Sequence, residues 1–308
     1  MLLKLFYLNI TFFLLLLISS CSYYAPQRYT IETSTHSPNQ CLFNENQTAI
    51  DSRSINIISW NSLAGCRQTM RNLAALTFCS QAQANQSFLE LTKNRDILII
   101  QEAFMDSEMR QTLKNLGTQY SWDMGISYIL DQKKDIPTGV YTVANAQALS
   151  ACSQRSNDVL LPTPKAILFT TYNLSDGELT TNEKLLVVNV HAILISQSSL
   201  YAQLDRMAKK MSRHEGPIIL AGDFNTMTEN SYLKLKKIVG AIGMVEATME
   251  KKDDHRVTSM LGQAYDFIFY KKLRLIRANS IDLAETRIGK TSDHNPIFAE
   301  FQGINVKP

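Results

Sequence analysis

Two short stretches of this chain hold side chains able to do hydrolytic chemistry on a phosphate ester. Gly222-Asp223-Phe224-Asn225 follows the apolar run Ile218–Ala221. About seventy residues later, Thr291-Ser292-Asp293-His294-Asn295-Pro296 leads into the apolar run Ile297–Phe301. Each sets acid, amide or imidazole groups at the mouth of an apolar strand, and together they point to a metal-dependent site. A phosphodiester resists hydrolysis because its anionic oxygens repel a nucleophile. Catalysis therefore needs a cation to neutralise the phosphate, a group to activate water, and donors for the developing charge. Mg²⁺ takes oxygen ligands and keeps several waters, so one or two carboxylates suffice to hold it.

The same device recurs along the chain. Ile55–Trp60 ends in Asn61, Ile97–Ile100 ends in Gln101-Glu102, and Leu185–Val190 ends in His191. Stability gives no reason for so many strands to end this way, since each buried carboxylate or imidazole must be paired. Strand side chains alternate, so Asp223 and Asn225 face one way while Phe224 faces the core. Gly222 admits a neighbouring backbone or a ligand at close range. Glu102 and Asp293, with Asn61 alongside, are the candidate ligands for Mg²⁺ or Mn²⁺. His294 and Asp266 can form an imidazole oriented by a carboxylate. Taken singly, His191 reads as a core histidine, while for Asn61 and Asp266 a turn cap and a strand cap are only the alternatives; in company the three read as one site.

These groups need buried strands to position them. Near-continuous apolar runs at Ile55–Trp60, Ile97–Ile100, Ala166–Thr171, Leu185–Val190, Ile218–Ala221, Phe267–Tyr270 and Ile297–Phe301 fit strands covered on both faces. Thr138–Thr142 adds another. Ser198–His214 carries Leu200, Leu204, Met207 and Met211 at helical spacing, with Lys209, Lys210 and Arg213 on the other face. Arg67–Lys93 reads as largely helical and Tyr232–Ile238 as a short helix. Ser121–Leu161 is less regular and includes the solvated run Asp131–Asp135. The architecture expected is two sheets packed face to face with helices outside.

The N-terminus reads as an address. Lys4 precedes an apolar run from Leu5 to Ile18, and Ile18-Ser19-Ser20-Cys21 sets small residues before a cysteine. That resembles a bacterial lipoprotein signal over residues 1–20, with Cys21 the lipidated residue; Ser22 after it fits sorting to the outer membrane. The alternative is an uncleaved anchor, since the run is not much shorter than the ~17 residues that span a bilayer. Residues 21–53, rich in Ser, Thr, Asn, Gln and Pro, read as a tether, and residues 54–303 as one domain. The formal charge is +3, one unit of it from Lys4, so the mature chain carries +2. That balance gives no strong pull toward nucleic acid. Cys41, Cys66, Cys79 and Cys152 remain for two disulfides in three possible pairings. Cys66 with Cys79, close in sequence, is the preferred pair. No CxxC occurs and no histidine sits at ligand spacing from these cysteines, which argues against zinc.

The chain resembles the endonuclease/exonuclease/phosphatase (DNase I-like) superfamily, its motifs matching in order. They are Trp60-Asn61, Gln101-Glu102, Asn189-Val190-His191, Gly222-Asp223-Phe224-Asn225, Tyr265-Asp266-Phe267-Ile268 and Ser292-Asp293-His294-Asn295-Pro296. The resemblance covers about Ile55 to Phe301 and implies a four-layer α/β sandwich around two mixed β-sheets. It also implies roles. Glu102 would hold the metal with Asn61 and Asp293 in support, and Asp223 would orient or deprotonate the attacking water. Asn225 would hydrogen-bond the scissile phosphate. His294, oriented by Asp266, would contact that phosphate or move a proton, with His191 serving its opposite side. A Pro-Lys-Ala-Ile-Leu-Phe-Thr-Thr segment shared with bacterial members places Lys165 near the site, able to neutralise phosphate.

Two departures stand out. No tyrosine is placed at the phosphate, Tyr141 and Tyr128 being candidates, and no carboxylate partner for His191 is found. The expectation is a metal-dependent phosphodiesterase anchored at the outer membrane, with nucleic acid the slightly favoured substrate. A phospholipid or sphingomyelin headgroup comes second, for which only Tyr120-Ser121-Trp122 offers an aromatic hairpin. A small phosphomonoester comes third, and a non-catalytic binding module is the remote alternative. Oligomeric state is not legible.

Overall fold

A computed structural model describes residues 29–30, 41–45, 48–62, 81–130, 136–160, 163–177, 179–287 and 289–304. The signal segment, Cys21, Cys66, Cys79, residues 67–80 and the run 131–135 lie outside the described residues. Fifteen strands are seen among those described: β1 (Tyr29–Thr30), β2 (Cys41–Phe43), β3 (Ala49–Asp51), β4 (Ile55–Asn61), β5 (Ile97–Phe104), β6 (Ser121–Leu130), β7 (Ile136–Ala144), β8 (Ser150–Ser156), β9 (Lys165–Ser175), β10 (Thr180–His191), β11 (Ile218–Asp223), β12 (Val245–Glu246), β13 (Asp266–Lys271), β14 (Leu273–Ser280) and β15 (Ile297–Gly303). Four α-helices accompany them: α1 (Gln81–Thr92), α2 (Ser107–Asn115), α3 (Gln197–Met211) and α4 (Glu229–Gly240).

The strands form two sheets. One runs β1-β6-β7-β5-β4-β15-β14; the other runs β12-β13-β11-β10-β9-β8-β2, with β3 paired to β9. Both are mixed: β4–β5 and β10–β11 are parallel, while their outer neighbours are antiparallel. Alternation sorts most of the apolar side chains into three large cores. Ile57, Ile97, Ile99, Val187, Ile219 and Ile268 interdigitate between the sheets. Val188, Val190, Leu220 and Phe267 face outward and are covered by Leu204, Met207 and Met211 of α3 and Leu235 and Val239 of α4. Ile58, Trp60, Leu98 and Ile100 face the other way, under Phe88 of α1 and Met109 and Leu113 of α2. The result is the expected four-layer α/β sandwich.

Several elements differ from the sequence expectation. The stretch read as a tether enters the sheets through β1, β2 and β3, and Ile50 is fully buried. Its polar composition hides this because short edge strands need few apolar residues. Residues 121–161 hold three strands, of which β8 is polar and leaves no apolar run. α4 begins three residues earlier than Tyr232 because Thr228 and Ser231 form a reciprocal cap at its start. Cys41 and Cys152 face each other across β2 and β8 and form a disulfide. It closes a chain segment of 111 residues, which removes unfolded-state freedom worth about 4–5 kcal/mol in the loop-entropy treatment.

Candidate active site

The inward stripe of the inter-sheet core becomes polar at one end. Asn61 continues the face of Ile57, and Gln101 continues that of Ile97 and Ile99. Asn189 and His191 extend Val187, Asp223 extends Ile219 and Ala221, and Asp266 lies two residues from Ile268. Register sets them level: His191 and Asp266 both pair with Asp223 on its two neighbouring strands. Simple alternation would turn Glu102 outward. A bulge between Ile100 and Ala103 and a left-handed φ of 49° at Glu102 bring its carboxylate in as well. Gly222 has φ 143°, and a Cβ there would lie 2.0 Å from the Val190 carbonyl oxygen, so the close neighbour it admits is the backbone of β10.

Beneath the site a polar clamp joins the sheets. The buried Asn189 donates Nδ2 to the carbonyls of Ile100 (3.1 Å) and Tyr141 (2.9 Å), and its Oδ1 accepts from Gln101 Nε2 (2.8 Å). Asn189 thus locks β10 to β5 and β7, one residue before Glu102 on one side and two before His191 on the other.

Above the clamp the catalytic candidates meet. Asp223 Oδ2 accepts from Asn61 Nδ2 at 3.1 Å, and its Oδ1 accepts from the Asn225 backbone at 2.9 Å. His294 Nδ1 lies 2.7 Å from Asp266 Oδ2, and its Nε2 lies 4.0 Å from Asp223 Oδ2. The loop carrying His294 is pinned by Trp60 Nε1, which donates to the His294 carbonyl (3.1 Å), and by Ser292 Oγ, which donates to the Asn61 carbonyl (2.6 Å). Asn225, at φ 50°, donates Nδ2 to the Ala192 carbonyl at 2.8 Å, which leaves it a second Nδ2 hydrogen. Asp293 is exposed at the mouth, close enough to act on Glu102 and His294 through its charge.

Burial and charge oppose each other here. Burial pushes Asp223 up to about 6, against the nearby His294 cation. Burial alone would depress His294, but Asp266, Asp223 and Asp293 prevail and hold it well above the usual imidazole value. Burial likewise raises Glu102, partly countered by Lys165. His191 goes the other way, depressed by burial first and then by Lys165 and His294. Its partner is therefore a cation: Lys165 Nζ lies 2.7 Å from His191 Nε2, while Glu102 and Asp223 stand at 3.8 and 3.7 Å. With Nε2 accepting from the ammonium, the ring is neutral and carries its hydrogen on Nδ1. Replacing Lys165 by Met should let His191 take up a proton at higher pH than in the parent chain, read by NMR of its ring carbons across a titration. An unmoved His191 would mean that burial and the His294 cation set its state without Lys165.

The donor set suits a hard divalent cation. Glu102 Oε2 is buried and accepts no hydrogen bond, and the Asp293 carboxylate lies nearby on the open side. Among the described residues no group of three or more His, Cys, Asp or Glu is gathered as a metal cage. Mg²⁺ tolerates that arrangement, because waters and substrate oxygens complete its shell.

No family model matches the chain. A UPF0294 protein of Yersinia pseudotuberculosis is 33% identical over 215 residues, covering 69% of this chain and 75% of that relative. The chain belongs to the UPF0294 family. A second UPF0294 protein, from Vibrio parahaemolyticus, is 31% identical over 236 residues, 75% of this chain and 77% of the relative. The UPF0294 chain shares its fold with solved endonuclease/exonuclease/phosphatase proteins. One from Bacteroides vulgatus aligns at TM-score 0.61 and 15% identity, over 81% of this chain and 98% of the other. A mannosyl-6-phosphatase of Bacteroides thetaiotaomicron aligns at 0.56 and 14%, over 80% and 99%. The human Nocturnin catalytic domain with a bound sulfate anion aligns at 0.57 and 18%, over 87% and 99%.

Two sequence candidates sit elsewhere. Tyr141 is fully buried with its hydroxyl 3.5 Å from Met109 Sδ, in the core under α2. Tyr120-Ser121-Trp122 lies at the start of β6, at the far end of the sheet from Glu102, where Arg110 covers the Trp122 ring. A tyrosine for which the sequence reading gave no role stands beside the site. The Tyr265 ring centroid lies 5.7 Å from that of His294, and burial, with Asp223 and Asp293, raises its hydroxyl pKa. Its place directly before Asp266 was the available signal.

Proposed function

We propose that this chain is a divalent-metal-dependent phosphodiesterase. One observation carries the reading: Asp223, Asn61, His294, Asp266, His191 and Glu102, drawn from both sheets, converge on one end of the inter-sheet core, with Glu102 Oε2 left without a partner. A cation held by Glu102, with Asn61 and Asp293 beside it, would supply charge neutralisation at the phosphate. Asp223, ionised and oriented by Asn61 and the Asn225 backbone, takes a proton from the attacking water. The His294 imidazolium, fixed by Asp266, faces the charge that develops on phosphate oxygen. Lys165, held against His191 Nε2, adds a second cation on that side of the site. The sulfate in the Nocturnin domain is in keeping with an oxyanion site in this fold.

The test is hydrolysis of supercoiled plasmid and of bis(p-nitrophenyl) phosphate in Mg²⁺, with EDTA and Asp223→Asn as controls. Turnover of either ester that both controls abolish supports the reading; folded protein inert on both, and on phospholipid vesicles, sinks it. Phospholipid headgroups form the second reading, favoured by exposed aliphatic turns beside the site.

A further inference from the structure

The rim of the site is apolar in a particular way. On one side, Thr258 and Ala264 bridge a short hairpin whose turn, Ser259-Met260-Leu261-Gly262, closes through Gly262 N–H donating to the Ser259 carbonyl (2.9 Å). Its tip leaves Met260 93% and Leu261 74% exposed. Ser259 Oγ donates to the Met227 carbonyl at 2.8 Å, which fixes this turn beside Met227, itself 41% exposed. On the other side, the loop between β8 and β9 presents Val159 and Leu160 at 77% and 62% exposure. That turn is also fixed. The buried Asp158 accepts from Leu160 N–H through Oδ1 (2.9 Å) and from Ile195 N–H through Oδ2 (3.0 Å).

Both turns lie at the end of the eight-stranded sheet that carries His191, Asp223 and Asp266. The hairpin feeds β13 at Asp266, and the loop feeds β9 at Lys165. In the order β13-β11-β10-β9 they stand three strand spacings apart, about 14 Å, with Asp223 and His191 between them. Scattered single apolar residues on a surface need no explanation. Two turns tied by hydrogen bonds, each exposing an adjacent apolar pair on either side of one mouth, do need one.

The chain's own N-terminus points to the occupant. β2 is antiparallel to β8, with Cys41 opposite Cys152 and Phe43 opposite Ser150, so β2 begins at the end nearer Ser156 of β8. Ser156 pairs with Lys165, so that end carries the site. β1 agrees: Tyr29 pairs with Leu130, the last residue of β6, and β7 meets β5 beyond Glu102 through Thr138 opposite Phe104. From Tyr29 back to Cys21 is eight residues, a reach of at most about 28 Å. A lipid on Cys21, or an apolar anchor ending there, would hold the membrane on the side where the site opens.

We propose that the site mouth is a membrane-docking face, with Met260-Leu261 and Val159-Leu160 entering the lipid surface that holds the N-terminus and the active site facing the headgroups between them. Docking rests on the lipoprotein or anchor reading of residues 1–21. The substrate it implies, a phosphate ester of a lipid headgroup, rests in addition on the phosphodiesterase reading. Such turns sit in the interface, with their apolar side chains roughly 5–10 Å below the headgroup plane.

The experiment uses the full chain reconstituted into phosphatidylethanolamine/phosphatidylglycerol vesicles, with and without brominated acyl chains. Leu261→Trp places a reporter at the tip; the native Trp60 is buried and Trp122 lies at the opposite end, so the parent chain gives the baseline. Docking predicts blue-shifted emission and clear loss of the added signal in brominated vesicles, as expected for a side chain at interfacial depth. Solvent-like, unquenched emission overturns the proposal, and so does failure of the chain to float with vesicles. A second arm changes Met260, Leu261, Val159 and Leu160 to Ser. Turnover of bis(p-nitrophenyl) phosphate should persist while hydrolysis of vesicle phospholipid falls about tenfold, a loss of ~1.4 kcal/mol. Equal loss on both esters overturns the proposal. Quenching at the tip with no turnover of any ester by the parent chain would fell the phosphodiesterase reading and leave docking standing.

Discussion

Asp223→Asn is expected to lower kcat by roughly a thousandfold, the scale of a lost general base, while the melting temperature stays equal to or above that of the parent chain. The two effects share a cause. Asp223 is nearly fully buried, and burial pushes its pKa up to about 6. A carboxylate with a raised folded pKa keeps its proton where the unfolded chain has lost it, so its contribution to stability falls as pH rises from about 4 to about 6. Above that window the ionised group is a cost to folding, and the neutral amide removes it. Turnover of the parent should rise on the acid side as Asp223 ionises, with the limb at or below about 6, since a bound cation would draw it lower. His294 sets the opposite limb. Its raised pKa means that the imidazolium stabilises the fold fully below about 6.5, and that contribution is lost as pH climbs through the raised value. Calorimetry and pH–rate profiles on the two proteins read both limbs. A variant that keeps its turnover would remove Asp223 from the chemistry.

The ends of strands were legible because an apolar run that stops at Asn61, His191 or Asp223 is visible without any tertiary information. The alignment of those ends follows from strand order, and the shared motif order supplied it. The aim of Glu102 was not legible, since it depends on a bulge and a left-handed backbone that no side-chain pattern announces. Nor was the Lys165–His191 pair: β9 and β10 are antiparallel neighbours, so residues 26 apart in sequence touch only through register. The same holds for Cys41 with Cys152, whose complement, Cys66 with Cys79, lies outside the described residues. Helix α2 was missed because its sequence, Ser-Glu-Met-Arg-Gln-Thr-Leu-Lys-Asn, has only two large apolar residues; Asp106 caps it, its side chain accepting from Met109 N–H. Tyr265 stood inside a quoted motif, and only the fold shows its ring beside His294.

Asn189→Leu is expected to cost about 3–5 kcal/mol of stability and, separately, most of the activity. The substitution removes the donor to two buried carbonyls, Ile100 and Tyr141, and the acceptor for Gln101 Nε2. Each group left unpaired inside the core costs about 1–3 kcal/mol. At roughly 2–4 °C per kcal/mol for a domain of this size, the melting temperature should drop by about 10 °C. Gln101 keeps a second acceptor in the Ile99 carbonyl, which limits its share of the loss. The effect on turnover has a different origin. Asn189 fixes the spacing between β10 and β5, and therefore between His191 and Glu102, now 3.8 Å apart. A shift of about 1 Å between groups that must act together can cost on the order of a hundredfold in rate. Measured well below the new melting temperature, where the variant is fully folded, kcat should still be low. A variant destabilised as expected but fully active when folded would show that the clamp serves the sandwich alone. Retained stability would show that the two carbonyls find other donors.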